Sequence, residues 1–343
     1  RSAHNLATMA FSIPAHQKPL KSVAVMNLPE GPKILSGSVD GTVKVWNLTT
    51  DIPSEETSIP ATGQVKHLEV SGTTVLWSVD EPLTPEMPNS TVGMVYLFNP
   101  NPPATIAVKR SEEFPYTHPF GEIRSFCVAV LDGVTFVITA GGEGLIRTWR
   151  FDGGKGAFEQ IMVLEGHIRA VTCVLLNENM LWSGSVDTTI RVWDLSSGKC
   201  VGSLSVSNGG HTDAIMCLEL IPPQQIGAGG QQQPAYIASG GADGAVKLWS
   251  TTGTAMHSCN HQAMVTALKA FKDSFGGIQI LLIGLLDGTV VVRSCASMGM
   301  LFKLDSSICR TKAIWSIADV GQSCFCTGSD DGNITVWRIP AAL

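Results

Sequence analysis

The chain writes one short phrase repeatedly: a run of small residues, an acidic residue, then an apolar strand that ends near tryptophan. It reads "SGSVDGTVKVWN" around Asp40, "SGSVDTTIRVWD" around Asp187, "SGGADGAVKLWS" around Asp243 and "TGSDDGNITVW" around Asp331. Weaker copies stand at Asp80 ("LWSVD", its next strand displaced to "GMVYLFN" at 93–99), Glu143 ("TAGGEGLIRTWR") and Asp287 ("IGLLDGTVVVR"). The seven anchors lie 40 to 63 residues apart. A period of that length asks for an array of equal units, each too small to bury its faces alone. The long intervals hold two inserts: "EPLTPEMPNSTV" at 81–92, followed by a Pro-rich run near 100–103, and "PPQQIGAGGQQQP" at 222–234. The second is Gly/Gln-rich, has no apolar period, and reads as a loop.

These copies resemble WD-repeat β-propeller blades across essentially the whole length. The resemblance implies an all-β, seven-bladed WD-repeat β-propeller closed by the N-terminal strand. Blades are expected at approximately 14–50, 51–100, 101–151, 152–196, 197–251, 252–295 and 296–340, with strand 6–13 ("LATMAFSI" runs 6–13) completing the last sheet. Closure matters because an open edge invites mispairing. The stretches "GHIRAVTCV", "LWSGSVDTTIRVWDL" and "AGGEGLIRTW" are also similar to a narrower group, the plant and protist proteins in which CCCH zinc fingers precede a WD-repeat domain. No CCCH finger lies in these 343 residues, and position 1 is Arg rather than Met, so the chain reads as an excised piece of a longer protein.

The resemblance also implies a hydrogen-bonded chain from Trp to Ser to His to Asp. Full sets are His16, Ser36, Asp40 and Trp46; His167, Ser183, Asp187 and Trp193; His211, Ser239, Asp243 and Trp249. Such a chain is structural: polar groups between packed sheets need partners, and an orphaned one costs about 1–3 kcal/mol. Blade 3 keeps His118, Thr139 and Trp149 but carries Glu143, and blade 7 keeps Thr327, Asp331 and Trp337 without an evident His. Blade 6 keeps His261 and Asp287, with Ile283 and Arg293 in place of Ser and Trp, and blade 2 has Phe98 for Trp. Blades 2 and 6 are expected to be the least rigid. Where Gly follows the Asp, as in "DG", the pair suits a two-residue hairpin turn with positive φ.

Composition narrows the function. Hydrophobic residues make up 44% and charged residues 15%, which suits sheets covered on both faces. No apolar run is long enough to span a bilayer, so no membrane contact is expected. Nine scattered cysteines, an odd number, fit a reducing compartment, and an intracellular location in cytoplasm and/or nucleus is expected. "HSCNH" (His257, Cys259, His261) offers zinc-type ligands but no fourth, and His261 already occupies a repeat-start position. "CFC" (Cys324, Cys326) reads as packing. There is no GxSxG elbow, P-loop, HExxH or strand-to-helix GxGxxG, so no catalytic residue, no cofactor and no metal is assigned, and an enzyme is not expected.

Partners of WD-repeat proteins commonly dock on the loop face. Offsets of three and five residues after the repeat His, and the residue before the Asp, give the exposed positions there. They are Lys21, Gln64, Lys66, Glu122 and Arg124 with Val39 and Val79 around blades 1–3. Around blades 4–7 they are Thr172, Val186, Met216, Met264, Leu286, Trp315 and Asp330. The alternative is that several of these merely plug the channel. The partner-binding set is Lys21, Lys66, Arg124, Met216, Met264, Leu286, Trp315 and Asp330: one half basic, the other apolar with interface-prone Met and Trp. The expected function is a monomeric, non-enzymatic scaffold for proteins or peptides with an acidic plus apolar motif. Alternatives are an RNA-associated module of a CCCH zinc-finger protein, or a substrate receptor of a ubiquitin ligase. A formal net charge of −6 disfavours nonspecific phosphate binding, so RNA contact is expected through flanking regions. The Trp-Asp-x-Arg box of cullin-ligase receptors is absent from "VWDLSS" and "VWNLTT".

Overall fold

In the computed structural model the described residues are 7–48, 53–61, 63–72, 74–82, 91–100, 103–106, 123–152, 157–226, 231–272, 279–304 and 312–339. Among them, strands dominate, arranged in seven four-stranded antiparallel sheets and one two-stranded ribbon. The innermost strands of sheets 1 to 7 are Leu20–Leu28, Gln64–Ser71, Ile123–Leu131, Val171–Asn177, Ile215–Ile221, Val265–Lys272 and Ile314–Gly321. Each touches the next, and the last touches the first, so the sheets form a closed circuit around a central channel. The N-terminal strand Thr8–Pro14 is the outer strand of the seventh sheet, antiparallel to Asn333–Arg338 with Met9 opposite Trp337 and Ile13 opposite Ile334. This is an all-β propeller. No helix among the described residues is long and apolar enough to cross a membrane.

Sheets and repeat segments are offset. The Trp-ending phrase closes the third strand, and a fourth then edges the same sheet: Ser54–Pro60 pairs with Thr42–Asn47, and Lys199–Leu204 with Ile190–Asp194. The boundary at residue 50 therefore cuts the first sheet before its outer strand.

Apolar side chains fill the space between neighbouring sheets. Trp182 and Val192 of sheet 4 meet Ile215, Ile237 and Trp249 of sheet 5 in one buried cluster. Glycines in the second strands allow this approach: Gly37, Gly184, Gly240, Gly284 and Gly328 each face the first apolar residue of the next inner strand. Sheet 6 makes up for its lost polar residues with packing. Every residue of Gln279–Leu285 is buried, Ile283 included.

The hairpin turns differ from the two-residue form. Gly41, Gly144, Gly244, Gly288 and Gly332 donate their N–H to the carbonyl three residues back, and each has φ between 75° and 84°. This is a three-residue loop with a single left-handed residue at its end. The acidic residue instead accepts amides and hydroxyls on the far side of the turn, as Asp40 does from Thr42 N–H (3.0 Å) and Thr42 Oγ1 (2.6 Å). In sheet 4 the left-handed position is Thr188, φ 70°. A β-branched residue is strained there by roughly 1–2 kcal/mol, against about 0.5–1 kcal/mol of extra chain entropy that glycine loses on folding. Thr188→Gly is therefore expected to raise stability by about 0.5–1 kcal/mol, read as a higher urea midpoint at unchanged slope. A lower midpoint would contradict it.

The insert at 222–234 is not simply a loop. Gln224–Ile226 pairs antiparallel with Gln231–Gln233 in a short ribbon. Apolar alternation does not mark it, and the ribbon forms a two-stranded sheet of its own, apart from the four-stranded ones. Across the 81–92 insert the hairpin lengthens, with Glu81 opposite Val92 and Pro82 opposite Thr91; residues 83–90 lie outside the described set.

Candidate binding face

The polar chain inside the sheets holds the loop face in place. His16 Nε2 lies 2.8 Å from Ser36 Oγ and its Nδ1 3.0 Å from Asp40, while Trp46 Nε1 donates to Ser36 at 2.9 Å. His167 stands 2.8 Å from both Ser183 and Asp187, with Trp193 donating to Ser183 at 2.8 Å. His211 lies 2.8 Å from Ser239 and 3.0 Å from Asp243, and Trp249 donates to Ser239 at 2.9 Å. Ser36, Ser183 and Ser239 are fully buried, so each link satisfies a group that water cannot reach. Burial alone would raise the Asp187 carboxyl, but bonds from His167 and Thr189 outweigh it and hold the group below the usual range. Burial pulls His16 and His211 below the ordinary imidazole value, against their aspartates.

Departures are local. Trp149 and Trp337 still donate to Thr139 (2.8 Å) and Thr327 (3.1 Å). Glu143 pairs with Arg147 on its own hairpin, and Asp331 accepts from Asn333. His118 and the side chains of Asp80 and Phe98 lie outside the described set. In sheet 6, Arg293 donates to Met298 O at 2.6 Å, and His261 Nε2 faces Cys259 Sγ at 3.8 Å. No group of three His, Cys, Asp or Glu among the described residues is placed to hold a metal. Burial pushes the Cys173, Cys295 and Cys326 thiols up to about 12, and Cys127 and Cys217 well above their ordinary value.

One backbone device builds the channel mouth. Every inner strand has a bulge near its start, at the third residue of Gln64–Ser71 and the second of the other six, where register with the neighbouring strand shifts: Lys21, Lys66, Arg124, Thr172, Met216, Thr266 and Trp315. A bulge bends the strand and re-aims its extra side chain. All seven line a cavity of about 700 Å³ in the channel. Lys21, Lys66, Arg124, Met216 and Trp315 thus share one ring, three cations on consecutive sheets. Two more of the partner-binding set stand outside this ring, Leu286 on the turn where its offset put it. Leu286 is an exposed turn residue whose N–H donates to Met264 O at 3.0 Å, and neither lines the channel. In sheet 6 the bulge residue is Thr266, five after the repeat His, and not Met264, three after it. Val79, expected on an exposed turn, is fully buried because its strand runs on to Pro82 and turns it inward.

At the junction of sheets 7 and 1, Lys21 Nζ lies 3.6 Å above the Trp315 ring and 3.6 Å from Asp330. Trp315 Nε1 donates to Asp330 at 2.9 Å. Burial lowers the Lys21 pKa, Asp330 opposing and Lys66 adding to the effect.

At the mouth or just below it, each junction is bridged by a side chain of one inner strand on the backbone of the next. Ser316, Ser22 and Ser125 accept the amides of Val23 (3.1 Å), Leu68 (3.0 Å) and Val174 (3.2 Å). Thr172 and Thr266 donate to the carbonyls of Ile215 and Ile314. Glu69 and Glu219 accept from Val128 (3.2 Å) and Ala270 (3.0 Å). Lys269 also reaches Glu219, 2.9 Å away. Sequence reading missed these bridges; the signal was the residue type at the bulge and one or three positions after it.

A Trp–Ser–His–Asp chain in repeated four-stranded sheets around a channel defines a WD-repeat β-propeller, and the chain is one. The WD domain, G-beta repeat family matches residues 8–47, 158–194 and 198–250. Among curated relatives, zinc finger CCCH domain-containing protein 17 of Oryza sativa subsp. japonica is 27% identical over 96% of this chain and 66% of its own length. Zinc finger CCCH domain-containing protein 62 of Arabidopsis thaliana is 31% identical over 57% of this chain and 41% of its own. WD repeat-containing protein pop2 of Schizosaccharomyces pombe is 36% identical over 33% of this chain and 16% of its own. The chain thus spans less than two thirds of the length of these relatives.

Proposed function

We propose that this chain is a seven-bladed WD-repeat scaffold that binds a protein or peptide at its channel mouth, through an acidic segment and an apolar anchor. The count of blades is supported by the seven sheets and their closed circuit of contacts. The observation that carries the docking face is the bulge ring, which aims Lys21, Lys66 and Arg124 from three consecutive sheets into one opening, with Met216 and Trp315 completing it. A lysine carries three donors and an arginine five, so cations already paired within the fold keep donors for a guest. The buried thiols and the structural histidines leave this face to binding. A pull-down with wild type beside a Trp315→Ala/Met216→Ala variant tests the reading. The variant is expected to lose partners that wild type recovers; identical recovery would remove the mouth as the docking face.

The CCCH relatives favour a second reading, in which this propeller is the WD-repeat portion of a CCCH zinc-finger protein and recruits proteins while regions outside it hold RNA. Single-stranded RNA is then expected to bind this chain weakly. A tight, steeply salt-dependent affinity would place RNA on the propeller itself.

A further inference from the structure

Sheet 6 has given up the polar chain that restrains the turn in sheets 1, 4 and 5. With Ile283 and Arg293 in place of Ser and Trp, His261 is drawn toward Cys259, and Asp287 is released. Among the described residues Asp287 is exposed and accepts a single hydrogen bond, from its own turn's Thr289 N–H at 2.9 Å. Its counterparts Asp40, Asp187 and Asp243 are each held by a histidine. Beside it Leu286 is 42% exposed, an apolar side chain at the tip of a turn whose backbone is fixed on Met264. In the ring order, sheets 5 and 6 lie opposite the arc of sheets 1 to 3 that carries Lys21, Lys66 and Arg124. The loop face is therefore basic at the mouth on one side, and on the other carries, at the rim outside the channel, an apolar side chain beside a released carboxylate.

We propose that the mouth sets the direction of an extended peptide, its acidic end over sheets 1–3 and an apolar–basic residue pair seated on Leu286 and Asp287. This rests on the mouth being the docking face and adds the ligand's second charge and its orientation. Charge complementarity selects the occupant: an all-acidic segment would meet Asp287 at its far end, whereas an acidic segment followed by Leu-Arg meets an opposite charge at both. The turn can serve recognition because sheet 6 is held by its fully buried second strand instead of by the polar chain.

The test is a charge exchange, with the whole chain and two synthetic peptides as probes. Both carry a Glu-Glu pair at one end and a Gly-Ser spacer; one ends in Leu-Arg and the other in Leu-Glu. Wild type is expected to prefer the Leu-Arg peptide by about tenfold, and Asp287→Lys to reverse the preference. Asp287→Asn, which keeps the acceptor for Thr289 N–H, is expected to bind both peptides alike at unchanged thermal stability. If both peptides need Lys66 and Arg124, read with a Lys66→Gln/Arg124→Gln variant, but Asp287→Lys shifts them equally, the direction is overturned and the docking face stands. If neither peptide binds, or binding ignores Lys66 and Arg124, both fall.

Discussion

Gly240→Val is expected to destabilise the propeller by about 3 kcal/mol or more, with Gly240→Ala intermediate, read as urea midpoints. Gly240 is buried in the second strand of sheet 5, in an ordinary strand conformation, so the cost is steric and not conformational. A Cβ there would fall inside contact distance of Val265 Cγ1 and only 2.7 Å from Cys217 Sγ. Val265 is fully buried and starts the next inner strand, so it yields only by moving sheet 6 away from sheet 5. Overpacking a tight core typically costs 1–3 kcal/mol, and a clash that parts two sheets belongs at the top of that range. The same relation recurs at Gly184 against Ile215 and at Gly328 against Leu20, the latter across the junction that the N-terminal strand closes. A second substitution, Val265→Ala, is expected to recover part of the loss in the Gly240→Val background. Failure to recover would show that the clash is not at this contact.

This steric lock also explains how much the sequence could disclose. The "SG" and "TG" pairs ahead of Asp40, Asp187, Asp243 and Asp331 stand in the sequence only as part of a small-residue run, but their glycines sit within the second strand and admit the neighbouring sheet. The repeat, the polar chain and the closing strand were legible because each leaves a fixed pattern of residue types. The mouth was half legible. An offset from the repeat His found Lys21, Thr172 and Met216, yet two offsets competed in sheet 6 and only the bulge register decides for Thr266 over Met264. The turn offset failed at Val79 because its strand runs through the expected turn. The bridges at Glu69 and Glu219 were hidden for another reason: a glutamate in a strand reads as a solvated face until the channel encloses it.

Glu69 yields the second large expectation, a stability that falls with rising pH on its account. Its carboxyl lies beside the channel at the junction of sheets 2 and 3, and burial pushes its pKa up to about 7, against the Val128 amide and the more distant Lys269 ammonium. The Cys127 thiol, itself held far above its ordinary value, also faces it. A carboxyl whose pKa is higher folded than unfolded binds its proton more tightly in the native state. Its contribution is then whole below about 4.5 and lost as pH rises to about 7. The full shift corresponds to roughly 3 kcal/mol, reduced by whatever channel water screens. The carboxylates of the polar chain act in the opposite sense: Asp40, Asp187 and Asp243 are held below the usual range, so their contribution is present above about 4 and lost on further acidification. The lowered His16 and His211 likewise oppose Glu69, since they resist the protonation that the unfolded chain accepts below about 6.5. These terms overlap, so wild type alone cannot display the Glu69 slope and a difference is needed. Glu69→Gln keeps a carbonyl to accept the Val128 amide and removes the titration. It is expected to match wild type near pH 4.5 and to exceed it by about 2–3 kcal/mol near pH 8, read from urea melts across that range. A difference that stays flat with pH would mean that Glu69 is solvated in the channel and titrates alike in the folded and unfolded chain.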